Sequence, residues 1–120
     1  MILFLYGEDT FRSRRYLDQS IEKFKRERDP HGYNVVRLDG KKSEPGRLVA
    51  EISSAPFLAA KRLVVVENMA SSSDKEVLAT LIEKIEKQSI PESTVVIFWQ
   101  GEATGKVKEA KVLFELLAKE

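Results

Sequence analysis

Three acids stand where strand-like runs stop. Glu8 and Asp9 follow the apolar run from Ile2 to Tyr6, and Glu67 follows the run from Leu63 to Val66. Carboxylate oxygens are the ligands that hard cations prefer. Brought together at one sheet edge, these three would hold magnesium for phosphoryl or nucleotide chemistry. A phosphate cradle needs more: several glycines so that backbone amides can ring the phosphates, plus a lysine and a hydroxyl. Gly7-Glu8-Asp9-Thr10-Phe11-Arg12 has one glycine and two acids, and its negative charge would repel phosphate. Gly101-Glu102-Ala103-Thr104-Gly105-Lys106 is one residue short between its glycines, has Val107 where the hydroxyl belongs, and follows a late strand. It reads as a turn into the last helix.

The acid cluster resembles that of a phospho-acceptor receiver domain. There an aspartate ends the third strand and takes the phosphoryl group, and a lysine ends a fifth strand. This chain has Glu67 at that point and no fifth strand. The plainer reading makes Asp9 a helix N-cap, accepting orphan amide protons of the first turn, and leaves the other acids solvated. A magnesium-dependent receiver-like or nucleotide-binding domain using Glu8, Asp9 and Glu67 stays as the alternative. His31, the single histidine, lies between Pro30 and Gly32 in a turn. Trp99 closes an apolar strand and reads as core or core rim. With no cysteine, disulfides, thiolate metal sites and a cysteine nucleophile are excluded.

The other stretch that stands out is apolar. Ala55-Pro56-Phe57-Leu58-Ala59-Ala60 precedes the run Leu63 to Val66. Pro56 keeps a preceding helix from continuing, so Phe57 and Leu58 fall in a surface connection. Two adjacent large apolar side chains cannot both enter one core from a tight loop. Either one packs under a helix and the other is a stray exposed residue, or the pair is a plug for a partner's apolar pocket, the anatomy of an interface hot spot. Spacing leaves the two readings even.

The elements that position these residues follow from periodicity. Leu63 to Val66 is fully apolar and β-branched, the pattern of a strand covered on both faces. Ile2 to Tyr6 and Thr94 to Trp99 read likewise, and Tyr33 to Leu38 reads as a more polar edge strand. A helix from Asp9 or Thr10 to about Arg28 carries Leu17, Ile21 and Phe24 inward, with Phe11 and Arg14 at the edge of the stripe. Its mixed, arginine-rich outer face reads as solvated, with at most a weak DNA contact. A short helix from Pro45 to Ser54 carries Leu48, Val49 and Ile52. Met69 to Ser73 reads as a polar loop, and Ser73-Asp74-Lys75-Glu76 as a capping box. It opens a helix to about Gln88 with Val77, Leu78, Leu81, Ile82 and Ile85 inward. The last helix runs from Lys106 to Glu120, with Ala110, Leu113, Phe114 and Leu117 inward. Strand and helix thus alternate four times, which calls for crossovers and a mostly parallel sheet of about four strands. The expectation is one three-layer α/β domain over residues 1–120.

Composition narrows the class. The chain has 120 residues, 20 Lys plus Arg and 19 Asp plus Glu, for a net charge of +1. That length suits one core, and the balance argues against a dedicated nucleic-acid binder. Met1 leads straight into a strand without a signal-peptide pattern, and no apolar run nears the ~20 residues of a membrane span. A soluble cytoplasmic domain is expected.

Several motifs resemble one family together. Phe4-Leu5-Tyr6-Gly7-Glu8-Asp9, then Asp39-Gly40, then Pro56-Phe57-Leu58 and Lys61-Arg62-Leu63-Val64-Val65-Val66-Glu67-Asn68 resemble, in order and spacing, the N-terminal domain of the delta subunit of the bacterial DNA polymerase III clamp loader. The resemblance covers essentially the whole chain. It implies a P-loop-NTPase-like (AAA+-like) α/β fold without a phosphate loop, central first and third strands and an edge second strand. It implies a non-catalytic role, with no cofactor: binding the DNA sliding clamp and helping to open it. An adjacent hydrophobic pair before the third strand enters the clamp's pocket in that family; Phe57 and Leu58 match it, in the reverse of the family's frequent Leu-Phe order. Pro56, Ile52 and Lys61 would support the contact. The family's lid and collar domains, which meet the other loader subunits, and a strand after the last helix are not among these residues. The expectation is therefore a piece of a longer subunit.

Overall fold

The computed structural model describes residues 1–7, 9–42 and 45–119, with the side chain of Pro45 left out. Among the described residues four strands and four α-helices alternate: β1 Ile2–Tyr6, α1 Thr10–Arg28, β2 Val35–Asp39, α2 Pro45–Ser53, β3 Arg62–Glu67, α3 Lys75–Glu86, β4 Thr94–Gln100 and α4 Lys108–Lys119. The strands pair in parallel in the order β1-β4-β3-β2. The expected α/β layering with a four-stranded sheet is therefore what forms.

β3 explains the layering. Its residues from Arg62 to Val66 are all buried. Because side chains alternate faces along a strand, Val64 and Val66 enter one core and Leu63 and Val65 the other. The first core joins them to Leu48 and Ile52 of α2, Leu78 and Leu81 of α3, and Leu113 and Leu117 of α4. The second joins Leu17 and Ile21 of α1 to Ile97 and Trp99. Three helices cover one face of the sheet, and α1 alone covers the other.

Several sequence expectations shift. β1 is an edge strand, not a central one, because among the described residues it pairs with β4 alone. Its face carries Phe4, Tyr6 and Phe114 as an aromatic cluster with centroids 4.6–5.3 Å apart, so Phe114 is only partly buried. β2 begins at Val35, which leaves Tyr33 exposed outside it. Phe11 is 77% exposed rather than at the edge of the buried stripe. Residues 69–71 form a 3-10 turn with Met69 and Ala70 buried, not a polar loop. The cap of α3 is Asp74, whose carboxylate accepts from Val77 N at 3.2 Å, so Ser73 is not the N-cap. The last helix starts at Lys108, after Lys106; Glu120 lies outside the described residues.

Candidate functional site

Two poles of the sheet carry the candidate residues. The loops after the strands form the carboxyl pole, and the loops before them form the amino pole.

At the carboxyl pole Glu67 and Asp9 already have partners. Glu67 pairs with Arg14 at 2.5 Å and Arg37 at 3.5 Å. The Arg14 guanidinium also stands 4.0 Å from the Trp99 ring centroid, and Trp99 Nε1 donates to Ser13 Oγ at 3.0 Å. Asp9 caps α1, accepting from Arg12 N at 3.0 Å. Glu8 lies outside the described residues. Several loop amides are taken as well. Asn68 Oδ1 accepts from Gly101 N and Glu102 N at 2.9 and 3.2 Å. Gln100, itself buried, accepts from Ala70 N and donates to Ser71 Oγ and the Glu102 carbonyl. Lys41 Nζ lies 2.5 Å from Glu102, and that hydrogen bond raises the pKa of Lys41 above its ordinary value.

No group of three His, Cys, Asp or Glu among the described residues is placed to hold a cation. Both glycines of the 101–106 turn are engaged as well. Gly101 sits against the Trp99 ring, where a side chain would overlap it, and Gly105 N donates to the Ala70 carbonyl at 2.7 Å. Of the acids in the magnesium reading, Asp9 caps α1 and Glu67 is paired with two guanidiniums.

The amino pole is built differently. Phe57 and Leu58 lie in the 54–61 connection and are both exposed, by 58% and 89%. Leu58 has φ 51°, the left-handed region that a branched side chain adopts at a cost of about 1–3 kcal/mol. What holds it is Asn34. Its side-chain amide donates to the Phe57 carbonyl at 2.7 Å, and its side-chain oxygen accepts from Phe57 N at 2.5 Å. Two such bonds contribute about 1 kcal/mol each, the same order as the strain.

Asn34 is itself fixed. It is 1% exposed. Its N–H donates to the Asp29 carboxylate at 2.8 Å, and its carbonyl accepts from Leu63 N at 2.8 Å. Asp29 is the residue that ends α1, its N–H bonded to the Lys25 carbonyl. A chain of hydrogen bonds therefore runs from the end of α1 through Asn34 to Phe57. Both ends of the connection are fastened as well. The buried Arg62 guanidinium pairs with the Glu51 carboxylate of α2, and Lys61 Nζ donates to the Glu92 carbonyl at 3.2 Å.

Of the five residues expected at a docking site, Phe57 and Leu58 reach the surface together. Pro56 and Lys61 are partly buried beside them. Ile52 is 0% exposed and belongs to the core; it is out of reach of a partner, and any support it lends comes from beneath. Sequence reasoning missed Tyr33 and Asn34. Tyr33, 64% exposed, meets Phe57 edge to face at 6.0 Å, and His31 stacks on Tyr33 at 5.4 Å. No local signal marks Asn34, since its partner lies 23 residues away.

The family profile described as "DNA polymerase III, delta subunit" matches residues 3–120. A solved structure of the Bacillus subtilis DNA clamp loader delta protein matches with a TM-score of 0.66 and 19% identity, over 95% of this chain and 35% of that one. At that identity the likeness speaks for the fold. The chain spans about a third of the length of the protein it matches. The curated proteins contain no match to it.

Proposed function

We propose a function from one premise: the chain belongs to the DNA polymerase III delta-subunit family. It acts in DNA replication as a non-catalytic clamp-loader domain, a single α/β unit over residues 1–120. It binds the ring-shaped sliding clamp through Phe57 and Leu58, with Pro56 and Lys61 at the margin, and helps open the ring. Other loader subunits are reached through parts of the family's longer chain, and the work is done in the cytoplasm without a cofactor.

The observation that carries this reading is the presentation of the pair. Exposed apolar residues are common singly. Here two adjacent ones stand out from a connection whose backbone is held at Phe57 by a buried side chain. A fixed apolar tip suits a preformed pocket, because little ordering entropy is lost on binding. Ring opening then needs only that the tip bind the open form of the clamp more tightly, since a ligand shifts an equilibrium by its differential affinity.

The test is calorimetric titration of the chain into a purified bacterial sliding clamp, beside a Phe57→Ala/Leu58→Ala variant. Binding by the wild type and a loss of about 2 kcal/mol or more in the variant is the hot-spot result. Equal affinities would place the contact elsewhere on the domain.

A further inference from the structure

We infer that the docking surface does not end at Phe57 and Leu58: Tyr33, backed by His31, is a second apolar contact, and Asn34 is the positioning residue that holds the two contacts in register. The inference rests on the clamp-docking reading and deepens it. Its consequence is the partner's shape. The partner must offer an apolar groove on a protein surface wide enough to take Tyr33 beside the Phe57-Leu58 tip.

Three observations carry it. First, the aromatic groups are continuous. The steps from His31 to Tyr33 to Phe57 are 5.4 and 6.0 Å between centroids, within the range of paired rings. Second, they are exposed together. Tyr33, Phe57 and Leu58 are 64%, 58% and 89% exposed, and they come from two loops at the same pole. A contiguous exposed apolar patch marks an interaction site where scattered single residues do not. Third, the two loops meet in one residue. Asn34 follows Tyr33 directly and grips both backbone polar groups of Phe57, so the spacing of Tyr33 from Phe57 is set by bonds that no partner has to supply.

Stacked aromatics also serve as platforms for nucleobases. The patch favours protein because its most exposed member, Leu58, has no stacking face.

The experiment titrates the 120-residue chain into a purified bacterial sliding clamp as wild type, Tyr33→Ala, Tyr33→Phe, Asn34→Ala and the Phe57→Ala/Leu58→Ala variant. Amide exchange of the free proteins is followed by NMR. Tyr33→Ala is expected to weaken binding about tenfold and Tyr33→Phe by no more than about twofold, since ring packing rather than the hydroxyl makes the contact. Asn34→Ala is expected to weaken binding about fivefold and to speed exchange at the Phe57 amide, while the amides of Val64, Val65 and Val66 keep their protection.

Wild-type affinity in Tyr33→Ala, with binding lost in the Phe57→Ala/Leu58→Ala variant, overturns this inference and leaves the docking reading intact. No binding by the wild type overturns both. Asn34→Ala exchange that rises equally through β3 makes Asn34 a general structural residue and overturns its positioning role. Binding of a fluorescent oligothymidylate that is lost in Tyr33→Ala makes the patch a nucleobase platform and overturns the assignment to a protein groove.

Discussion

The Arg14 guanidinium lies 4.0 Å from the centre of the Trp99 ring while its nitrogen stays 2.5 Å from the Glu67 carboxylate. One side chain of α1 thereby joins the carboxyl ends of β3 and β4. The contact is half-buried, so both parts exceed what an exposed pair would give. Arg14→Ala is expected to destabilise the fold by about 1–2 kcal/mol. Chemical denaturation measures the loss, and because Trp99 is the sole tryptophan, its emission should change in the folded state of the variant.

Gly40 is held to the chain that follows β3. Its N–H donates to the Glu67 carbonyl at 2.7 Å. A methyl group there would meet Met69 Cα at 2.6 Å and Met69 N at 2.8 Å. These are backbone atoms that cannot swing aside, so Gly40→Ala is expected to cost about 1–3 kcal/mol by overpacking. A lowered melting temperature with an unchanged far-UV spectrum is the expected result; a melting temperature equal to wild type would show that the 39–42 turn yields.

Leu58 separates conformation from hydrophobicity. Asparagine adopts the left-handed region far more readily than leucine. Leu58→Asn is therefore expected to keep stability or raise it by up to about 1 kcal/mol, while clamp binding weakens about tenfold or more as an apolar anchor is lost. Thermal melts and titration of the same sample read the two effects apart. Weakened binding together with a lower melting temperature would instead mean that the Leu58 side chain supports the fold.

The cap of α3 is testable at single-residue level. Asp74 accepts from Val77 N, whereas Ser73 is an exposed residue before it. Asp74→Ala is expected to cost about 1 kcal/mol, and Ser73→Ala no more than about 0.5 kcal/mol. Reversed costs in denaturant melts would restore the capping box to the first position.

Much of the scaffold was legible because it is written in local period. The unbroken run Leu63-Val64-Val65-Val66 announces a strand covered on both faces, and it is buried throughout. The spacing of Val77, Leu78, Leu81 and Ile85 announces the buried side of α3, and all four are buried. The exposure of Phe57 and Leu58 was half legible, since Pro56 ends the helix but cannot say which way the next side chains face. What was not legible depends on partners distant in sequence. Nothing near Glu67 reveals that Arg14 and Arg37 converge on it. The role of Asn34 rests on a loop that only the β2–β3 register brings alongside. The edge position of β1 is likewise a matter of strand order, which alternation along the chain does not encode.

The uneven layers have a consequence for how the domain breathes. With three helices on one face and α1 alone on the other, α1 is expected to open ahead of β3, β4 and the larger core. Sub-global openings of this kind set the amide-exchange hierarchy of a native protein. Asp29, where α1 ends, bonds the Asn34 N–H, and Asn34 grips Phe57. Opening of α1 is therefore expected to slacken the Phe57-Leu58 tip at the far end of that chain of bonds. A substitution such as Leu17→Ala, buried under α1 and touching no partner, would loosen the tip by raising the population of the opened state.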